Sequence, residues 1–302
     1  MTDERWPALS YDVWKDTYAT LHMWTQVVGK IALALAPPLN HSWGVAFQIT
    51  SRGLMTRTLA HGARSFTMEF DFIDHRLVIR VSDGTMRTLA LAPQSVADFY
   101  RAVMDVLREM KLPVKIWPMP VEVPSPIRFE EDTVHHIYDP DYANRAWRIL
   151  VQVERVLNIS RCPFVGKCSP VHFFWGGFDV AVTRFSGRLA PPREGPAFMR
   201  DAYSHEVISH GFWFGSGPLL EAAFYAYAVP EPSGLKEAAV QPAEAYYHHE
   251  LGEFILPYEA VRAGGDPDRA IRLFVDSTYD RAATLGRWNR AGLEAQPLTS
   301  GR

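Results

Sequence analysis

The feature that most constrains this fold is a proline-rich segment near the middle of the chain. Residues 118–126 read PMPVEVPSP, with four prolines in nine residues. A proline lacks a backbone N–H and clashes with the preceding helical turn, so this segment cannot be a helix and is expected to be extended. It predicts a linker over 118–138 between an N-terminal half, 1–117, and a C-terminal half, 139–292. A disordered tail is expected at 293–302.

The two halves show the same order of predicted elements. Apolar residues spaced by three and four predict the helices of the first half, and short β-branched or aromatic runs predict its strands. In the second half, two Asp-Pro-Asp sequences predict helix starts at 139 and 266. The predicted helices are 10–35, 95–110, one from 139 and 266–288, and the predicted strands are 43–51, 66–72, 77–81, 87–91, 114–117, 171–185, 205–214, 222–229 and 253–257.

This order predicts an α+β fold made of two similar helix–antiparallel sheet–helix halves. Short strings also recur between the halves. His41-Ser42-Trp43-Gly44 in the first half matches His172-Phe173-Phe174-Trp175-Gly176 in the second. We interpret this similarity as an internal pseudo-duplication.

Composition and charge narrow the expected partners. The net charge is −3 and the charges are of mixed sign, so no positive electrostatic field would attract nucleic acid, and nucleic-acid binding is not expected. No apolar run is long enough for a transmembrane helix, and the first residues do not resemble a secretory signal. The spacing of Cys162 and Cys168 fits neither a disulfide framework nor a zinc knuckle. The sequence therefore predicts a cytoplasmic protein whose partner is a small molecule, with cofactor and oligomeric state left open.

The densest group of reactive side chains lies in residues 166–188, GKCSPVHFFWGGFDVAVTRFSGR. Two glycines after Trp175 indicate a bulge or a close approach by a ligand or another backbone. Arg184, Ser186 and Arg188 alternate, so a strand would place them on one side, as a fork suited to carboxylate or phosphate. A solvated strand end is the alternative. His172 lies in an apolar run, where a hydrogen-bonded core histidine is the alternative to a catalytic one.

A second group of polar residues follows at 205–210. His205 and His210 are five apart, so they do not form the helical zinc motif, whose histidines are four apart. In a strand Glu206 and His210 share one face, and His172 could complete a metal site with them. Hydrogen-bonded polar residues on a half-exposed strand are the alternative.

The motifs of the common hydrolases, nucleotide kinases and dinucleotide enzymes are absent from the sequence. We therefore expect an enzyme acting on a small polar or anionic metabolite, in a pocket near the first strands of the second half. A non-catalytic binding or sensing protein is the first alternative, and a metal-dependent enzyme using His172, Glu206 and His210 is the second. The expected catalytic residues are His172, His205 and Glu206, and the expected substrate-binding residues are Lys167, Trp175, Arg184, Ser186, Arg188, Tyr225 and Tyr227.

Several strings together resemble a bacterial family of chains of about this length whose function is not established. They are LHMWTQVVGKIALALAPPLNH, FDFIDHRLVI, SVADFY, IWPMPVEVP, GKCSPVHFFWGGFDVAVTRFSGR, AYSHE and ELGEFILPYEAVR. The resemblance covers about residues 5–290 and implies one conserved architecture over that length. It implies no reaction, cofactor or catalytic residue.

Overall fold

The computed structural model describes residues 5–195 and 197–295, and it combines helices with antiparallel sheets. The predicted α+β class is therefore confirmed. The described residues form two compact units. The N-terminal unit contains 5–152 and 172–179, and the C-terminal unit contains 153–171 and the described residues from 180 onward.

Helix α1, Tyr11–Leu35, is the central helix of the N-terminal unit. It begins and ends where the apolar spacing predicts, and every residue from Thr20 to Ala32 is buried. The Trp24 indole stacks on Phe99 of helix α2, Val96–Glu109, with ring centroids 4.8 Å apart. A helix buried on all sides must find partners for each polar side chain it carries. Among the described residues, no helix is both long and apolar enough to span a bilayer.

The sheet of the N-terminal unit is antiparallel throughout its registered pairs, with the order β1-β2-β4-β5-β6 and β3 paired to β4. The alternation of inward- and outward-facing side chains sets the register of its two longest strands, Arg64–Asp71 and Arg76–Val81. In this register Met68 lies opposite Ile79 and Phe70 opposite Leu77. The strands are β1 (Gln48–Ile49), β2 (Gly53–Met55), β3 (Leu59–His61), β4 (Arg64–Asp71), β5 (Arg76–Val81) and β6 (Met86–Ala90).

Helix α3, Pro140–Arg161, begins in the N-terminal unit and ends in the C-terminal unit. After it, strand β7, His172–Phe174, belongs to the N-terminal unit. The Phe47 and Phe173 backbones exchange two hydrogen bonds, of 2.8 and 3.0 Å. These bonds fix the position of the residues that follow β7.

The strands of the C-terminal unit follow the order β11-β12-β10-β9-β8 in the second sheet. Helix α6 packs against β9 and β10, and the Asp266 side chain caps it by accepting from the Arg269 amide at 3.0 Å. The elements are β8 (Asp179–Leu189), α4 (Ala197–Ala202), β9 (His205–Trp213), β10 (Ala223–Val229), β11 (Tyr246–His248), β12 (Glu253–Pro257), α5 (Tyr258–Ala263), α6 (Pro267–Leu285) and α7 (Arg290–Leu293).

Three strand predictions are wrong in detail. The predicted strand 43–51 is mostly turn, with pairing only at Phe47 and in β1, and 114–117 is irregular. The predicted strand 171–185 is interrupted by a turn at 175–178, which separates β7 from β8. Within this turn Phe178 has a positive φ of 55°. Residues 118–126 contain neither helix nor strand and belong to the N-terminal unit. The internal duplication stays a prediction.

The predicted tail, 293–302, starts within the described residues. The Leu293 carbonyl accepts from the Val165 amide at 2.8 Å, and the Ala295 amide donates to the Pro163 carbonyl at 2.7 Å. Residues 293–295 therefore pack on the segment after α3. Residues 296–302 lie outside the described part of the chain.

Candidate functional site

The structure distributes the predicted site residues over both units. His172 and Trp175 lie in the N-terminal unit. The C-terminal unit holds Lys167, Arg184, Ser186, Arg188, His205, Glu206, His210, Tyr225 and Tyr227.

Arg188 is bound by protein groups rather than open to an anion. Its Nε donates to Glu206 Oε2 at 2.8 Å, and Ser186 Oγ donates to the same oxygen at 2.8 Å. The two terminal nitrogens donate to the carbonyls of Gly286 and Arg287, at 2.6 and 3.0 Å. Arg188 therefore compensates the exposed carbonyls at the end of α6, while Glu206 neutralises its charge.

Arg184 lies in a buried network, with only 3% of its surface exposed. It donates to the Ser160 carbonyl at 2.8 Å and faces His210 Nδ1 at 3.2 Å. Because a guanidinium only donates, we assign Nδ1 as an acceptor and the proton to Nε2, which lies 3.0 Å from Thr278 Oγ1. Burial, and secondarily the charge of Arg184, hold the pKa of His210 well below its usual value, so this imidazole is neutral.

The remaining predicted residues of the C-terminal unit have local contacts. His205 Nδ1 lies 3.1 Å from Ser204 Oγ, and the hydroxyls of Tyr203 and Tyr227 are 3.1 Å apart. The Tyr225 ring stacks on Tyr227 with centroids 6.0 Å apart. The Lys167 ammonium lies 4.6 Å from the Phe185 ring centroid.

No three His, Cys, Asp or Glu side chains in the described residues are grouped so that they could hold a metal ion. Glu206 and His210, two of the predicted ligands, are occupied by the contacts given above. A cavity beside Glu206 has a volume of about 80 Å³, well below the roughly 300–1,000 Å³ of most ligand pockets. Arg184, Arg188, Glu206 and His210 are thus joined in hydrogen-bonded networks.

His172 is a buried residue of the N-terminal unit. Its Nε2 lies 3.4 Å from Arg57 Nη2, and the edges of Trp43 and Phe174 face its ring. Since Arg57 only donates, Nε2 is the acceptor in this contact. The geometry keeps His172 in an aromatic environment, next to a positive charge.

Trp175, the other predicted residue of this unit, is fixed flat against α1. Its Nε1 donates to the Val45 carbonyl at 3.0 Å, and the residue is 7% exposed. The indole can lie this close only because position 29 is glycine: an added Cβ would be 2.5 Å from Trp175 Cγ and closer still to two other ring atoms. Gly29 therefore allows the Trp175 ring to lie directly against the backbone of α1.

His22 and Gln26 lie one turn apart on α1 and hold two separate chain segments. His22 Nε2 donates to the Gly176 carbonyl at 2.8 Å, which fixes the turn after β7. Gln26 Nε2 donates to the Val121 carbonyl at 2.6 Å and its Oε1 accepts from the Val121 amide at 2.8 Å. Burial lowers the pKa of His22 to about 4, so the ring is neutral at physiological pH.

Lys30 lies one further turn along the same face of α1 and is 4% exposed. Its Nζ is 4.7 Å from the Trp117 ring centroid and 6.0 Å from that of Trp175, within the range of cation–π attraction. Within the described residues, Lys30 forms neither an ion pair nor a hydrogen bond. Burial lowers the pKa of its ammonium, while the nearby Glu122 carboxylate acts in the opposite direction.

Glu122 follows Val121, the residue that Gln26 holds, and has a φ of 57°. A glutamate in this left-handed region is strained, and such strain is found preferentially at functional sites. The side chain is exposed, yet surrounding protein desolvates it enough to raise its pKa. Its carboxylate lies against Gly176, where an added Cβ would collide with it. The Glu122 carboxyl group is therefore solvent-exposed and also in contact with the turn after β7.

These residues form what we call the Lys30 site: Gln26, Lys30, Trp117, Glu122 and Trp175. Lys30 supplies a cation or an amine, and Glu122 supplies a carboxyl group with an upward-shifted pKa. Trp175 forms a fixed aromatic wall, while Trp117, 62% exposed, covers Lys30 from the solvent side. Opposed pKa shifts on a neighbouring acid and base are typical of binding and catalytic centres.

Four of these five residues were not predicted from the sequence, although the sequence carries a signal for two of them. His22, Gln26 and Lys30 are spaced by four, which places them on one face of a helix. That face is polar within a helix whose other positions are largely apolar. Glu122 and Trp117 carry no such signal, because only the tertiary fold brings the proline-rich segment to α1.

Comparison with known proteins gives one match. The family model described as "Family of unknown function (DUF5996)" matches residues 6–295. No curated protein and no solved structure matches the chain.

Proposed function

The chain belongs to the family of unknown function DUF5996, and we propose that it is an enzyme acting on a small polar or anionic metabolite bound at the Lys30 site. One observation carries the proposal. Lys30 is buried and, within the described residues, has neither an ion pair nor a hydrogen bond.

An ammonium group in this position is costly for the fold. A buried charge is normally paired and hydrogen-bonded, because desolvation otherwise costs several kcal/mol or shifts the pKa. Two indole rings offset only about 1–2 kcal/mol of such a cost. A bound ligand that completes the coordination of the ammonium accounts for a lysine at this position, where methionine or leucine would otherwise be more stable.

The site assigns a role to each residue. Lys30 binds the anionic or polar group of the metabolite, and Glu122 transfers a proton to or from it. Trp175 and Trp117 enclose its planar or apolar part. Gln26 is a positioning residue, because it holds Val121 and thereby the strained backbone of Glu122.

This proposal keeps Trp175 as a substrate-binding residue near the first strand of the second half. The roles predicted for His172, His205, Glu206 and Arg184 stay predictions, and the proposal does not require them. A non-catalytic binding or sensing protein is the second candidate, and the exposed Trp117 ring favours it, because ligand entry would move a solvent-facing side chain.

Binding is tested first, by thermal-shift screening of small carboxylates, phosphates and amino acids. We compare wild type with Lys30→Met and with Lys15→Met, a control on the exposed face of the same helix. Losing one charged hydrogen bond is worth about 1.5–3 kcal/mol, so affinity should fall roughly 10- to 150-fold in Lys30→Met alone. Equal ligand responses in wild type and Lys30→Met would overturn the proposal.

Catalysis is tested second, on any metabolite that binds. Turnover is followed by NMR in wild type and in Glu122→Gln, which keeps the shape of the side chain but cannot exchange a proton. An enzyme should retain binding and lose about 10²–10⁴-fold in rate in Glu122→Gln. Binding without conversion in the wild-type protein would replace the enzyme by the sensing alternative.

A further inference from the structure

We propose that Lys30 is a nucleophile that forms an imine with its substrate, which makes the substrate class a small aldehyde or ketone. The inference rests on the proposed function, because it names the substrate class and the chemistry of the same site.

The surroundings of Lys30 are those of a reactive amine. A lysine attacks a carbonyl carbon only with a free lone pair, and removing it from water into apolar surroundings favours that neutral form. Lys30 meets this condition, since it is 4% exposed, faces two indole rings, and has no ion pair among the described residues. Burial lowers its pKa accordingly.

The polar neighbours of Lys30 on α1 provide no further hydrogen-bond donors for a ligand. Anion sites usually converge several donors on the ligand. Here, His22 donates to the Gly176 carbonyl, and the Gln26 amide donates to the carbonyls of Val121 and Gly176. These donors are therefore committed to the chain, and they do not supplement Lys30.

Glu122 supplies the proton that imine formation needs. The neutral Lys30 amine adds to the carbonyl carbon, and a proton moves from nitrogen to the former carbonyl oxygen, giving a carbinolamine. The Glu122 carboxyl group then protonates that hydroxyl, which leaves as water while the nitrogen forms a double bond to carbon. The products are an iminium cation, a Glu122 carboxylate and one water molecule, with no change in oxidation state.

The same residues stabilise the product. The iminium carries the positive charge that the ammonium carried, so the faces of Trp117 and Trp175 attract it as cation–π partners. The Glu122 carboxylate formed in the last step is already electrostatically coupled to Lys30. The attraction between this carboxylate and the iminium offsets part of the cost of forming two charges in surroundings that desolvate them.

The test is reductive trapping with glyoxylate and cyanoborohydride on the full-length wild-type protein. Peptide mass spectrometry then gives the labelling rate of each lysine. Burial alone predicts that Lys30 reacts more slowly than the exposed Lys15. We expect the opposite, with Lys30 labelled about tenfold faster or more. A Lys30 rate equal to or below that of Lys15 overturns the inference, and this comparison needs no variant.

Two variants sharpen the result. Lys30→Arg keeps the charge and should leave labelling of Lys15 unchanged, while the adduct at position 30 disappears. Glu122→Gln should slow labelling of Lys30 by about 100-fold or more, with Lys15 again unchanged. Equal Lys30 rates in wild type and Glu122→Gln contradict the assigned proton donor.

The outcomes separate this inference from the proposed function. If metabolites bind in a Lys30-dependent manner but no adduct forms, imine chemistry is refuted and the proposed binding site stands. If an adduct forms on Lys30 but no metabolite binding depends on it, Lys30 is reactive and the proposed function fails.

Discussion

Replacing Gly29 by alanine sets helix propensity against a steric conflict with Trp175, and the two effects predict opposite signs. Gly29 lies in the interior of α1, where alanine is favoured over glycine by about 1 kcal/mol. Propensity alone therefore predicts that Gly29→Ala stabilises the protein.

The packing around Gly29 predicts the reverse. The new Cβ would be 2.5 Å from Trp175 Cγ, whereas carbon atoms in contact are about 3.5–4.0 Å apart. The indole must therefore move by about 1 Å or more. It has little room, because it is 7% exposed and its Nε1 is bound to the Val45 carbonyl.

The expected net effect follows from these magnitudes. Overpacking costs roughly 1–3 kcal/mol, and a weakened buried hydrogen bond costs about 1 kcal/mol more. After subtracting the propensity gain, Gly29→Ala should lower the free energy of unfolding by about 1–3 kcal/mol. Ligand affinity at the Lys30 site should fall with it, because Trp175 forms one wall of that site.

Urea unfolding followed by far-UV circular dichroism measures the effect. Gly265→Ala is the matched control, because an added Cβ there meets no atom within 4 Å and the φ is not positive. It should change stability by less than about 1 kcal/mol. In a Trp175→Ala background the conflict is removed, so Gly29→Ala should become stabilising by about 1 kcal/mol. Stabilisation by Gly29→Ala in the wild-type background would refute the steric argument.

Three further predictions concern buried polar and glycine positions. Burial lowers the pKa of His22 from 6.5 to about 4, so between these pH values the unfolded state binds more protons than the folded state. The free energy of unfolding should therefore fall as the pH drops from about 6.5 to 4, and His22 should account for about 3 kcal/mol of the loss. His22→Gln, measured by urea unfolding across that range, should remove this part of the loss, and an unchanged pH profile would contradict it. Arg184→Ala leaves buried acceptors unpaired and should lower the free energy of unfolding by about 3–5 kcal/mol, whereas Arg188→Ala, at a half-exposed position, should lower it by about 1 kcal/mol. Equal losses of stability in thermal unfolding would contradict this prediction. Gly211→Ala would collide with the Tyr225 ring and with a backbone carbonyl, so it should destabilise by about 2–3 kcal/mol, and a melting temperature equal to wild type would count against it.

Elements whose signals are local were predictable from the sequence. The Ser95 cap of α2 is one case, since its Oγ accepts from the Asp98 amide at 3.0 Å. The Asp266 cap of α6 is another, because Asp followed by Pro specifies a helix start without help from the rest of the fold. Strand β10 has a run of small and aromatic residues that fits no helical stripe, so its assignment also needed no tertiary information.

The turn at 175–178 was not predictable, because its cause lies far away in sequence. The local pattern of alternating apolar residues favours one strand from Val171 to Phe185. In the structure the Gly176 carbonyl reaches His22 on α1, a residue more than a hundred positions earlier. A strand would point that carbonyl along the sheet ladder and leave the buried His22 donor unsatisfied, so the tertiary contact overrides the local preference.

The predicted site residues and the proposed Lys30 site differ for a related reason. The reactive residues in 166–188 are close in sequence, yet Arg184 and Arg188 form hydrogen bonds with other groups of the chain. A cluster of charged residues on a strand is as consistent with structural hydrogen-bond networks as with a ligand site. Residues that form a site are close in space but need not be close in sequence. The residues of the Lys30 site come from α1, from the region of the proline-rich segment and from the turn after β7, so no local sequence pattern connects them.

The buried polar residues of α1 differ in where their hydrogen-bond partners lie. Thr20 and Thr25 are buried, but each hydroxyl donates to a carbonyl of its own helix, Asp16 and His22 respectively. Such local bonds need no other segment and carry no information about function. The Gln26 side-chain amide instead forms two hydrogen bonds with the backbone of Val121. Its burial therefore depends on the position of the proline-rich segment.

Lys30 continues this face of α1 and differs from the residues before it. Its ammonium has neither a carbonyl of its own helix nor an amide of another segment as partner within the described residues. An unpaired buried charge is costly, and Lys30 has neither the local bond that stabilises Thr20 nor the contact to a second segment that stabilises Gln26. The proposed ligand from outside the chain would supply the missing partner of Lys30, and the strained Glu122 backbone, one residue from the Gln26 contact, would hold an acid beside it.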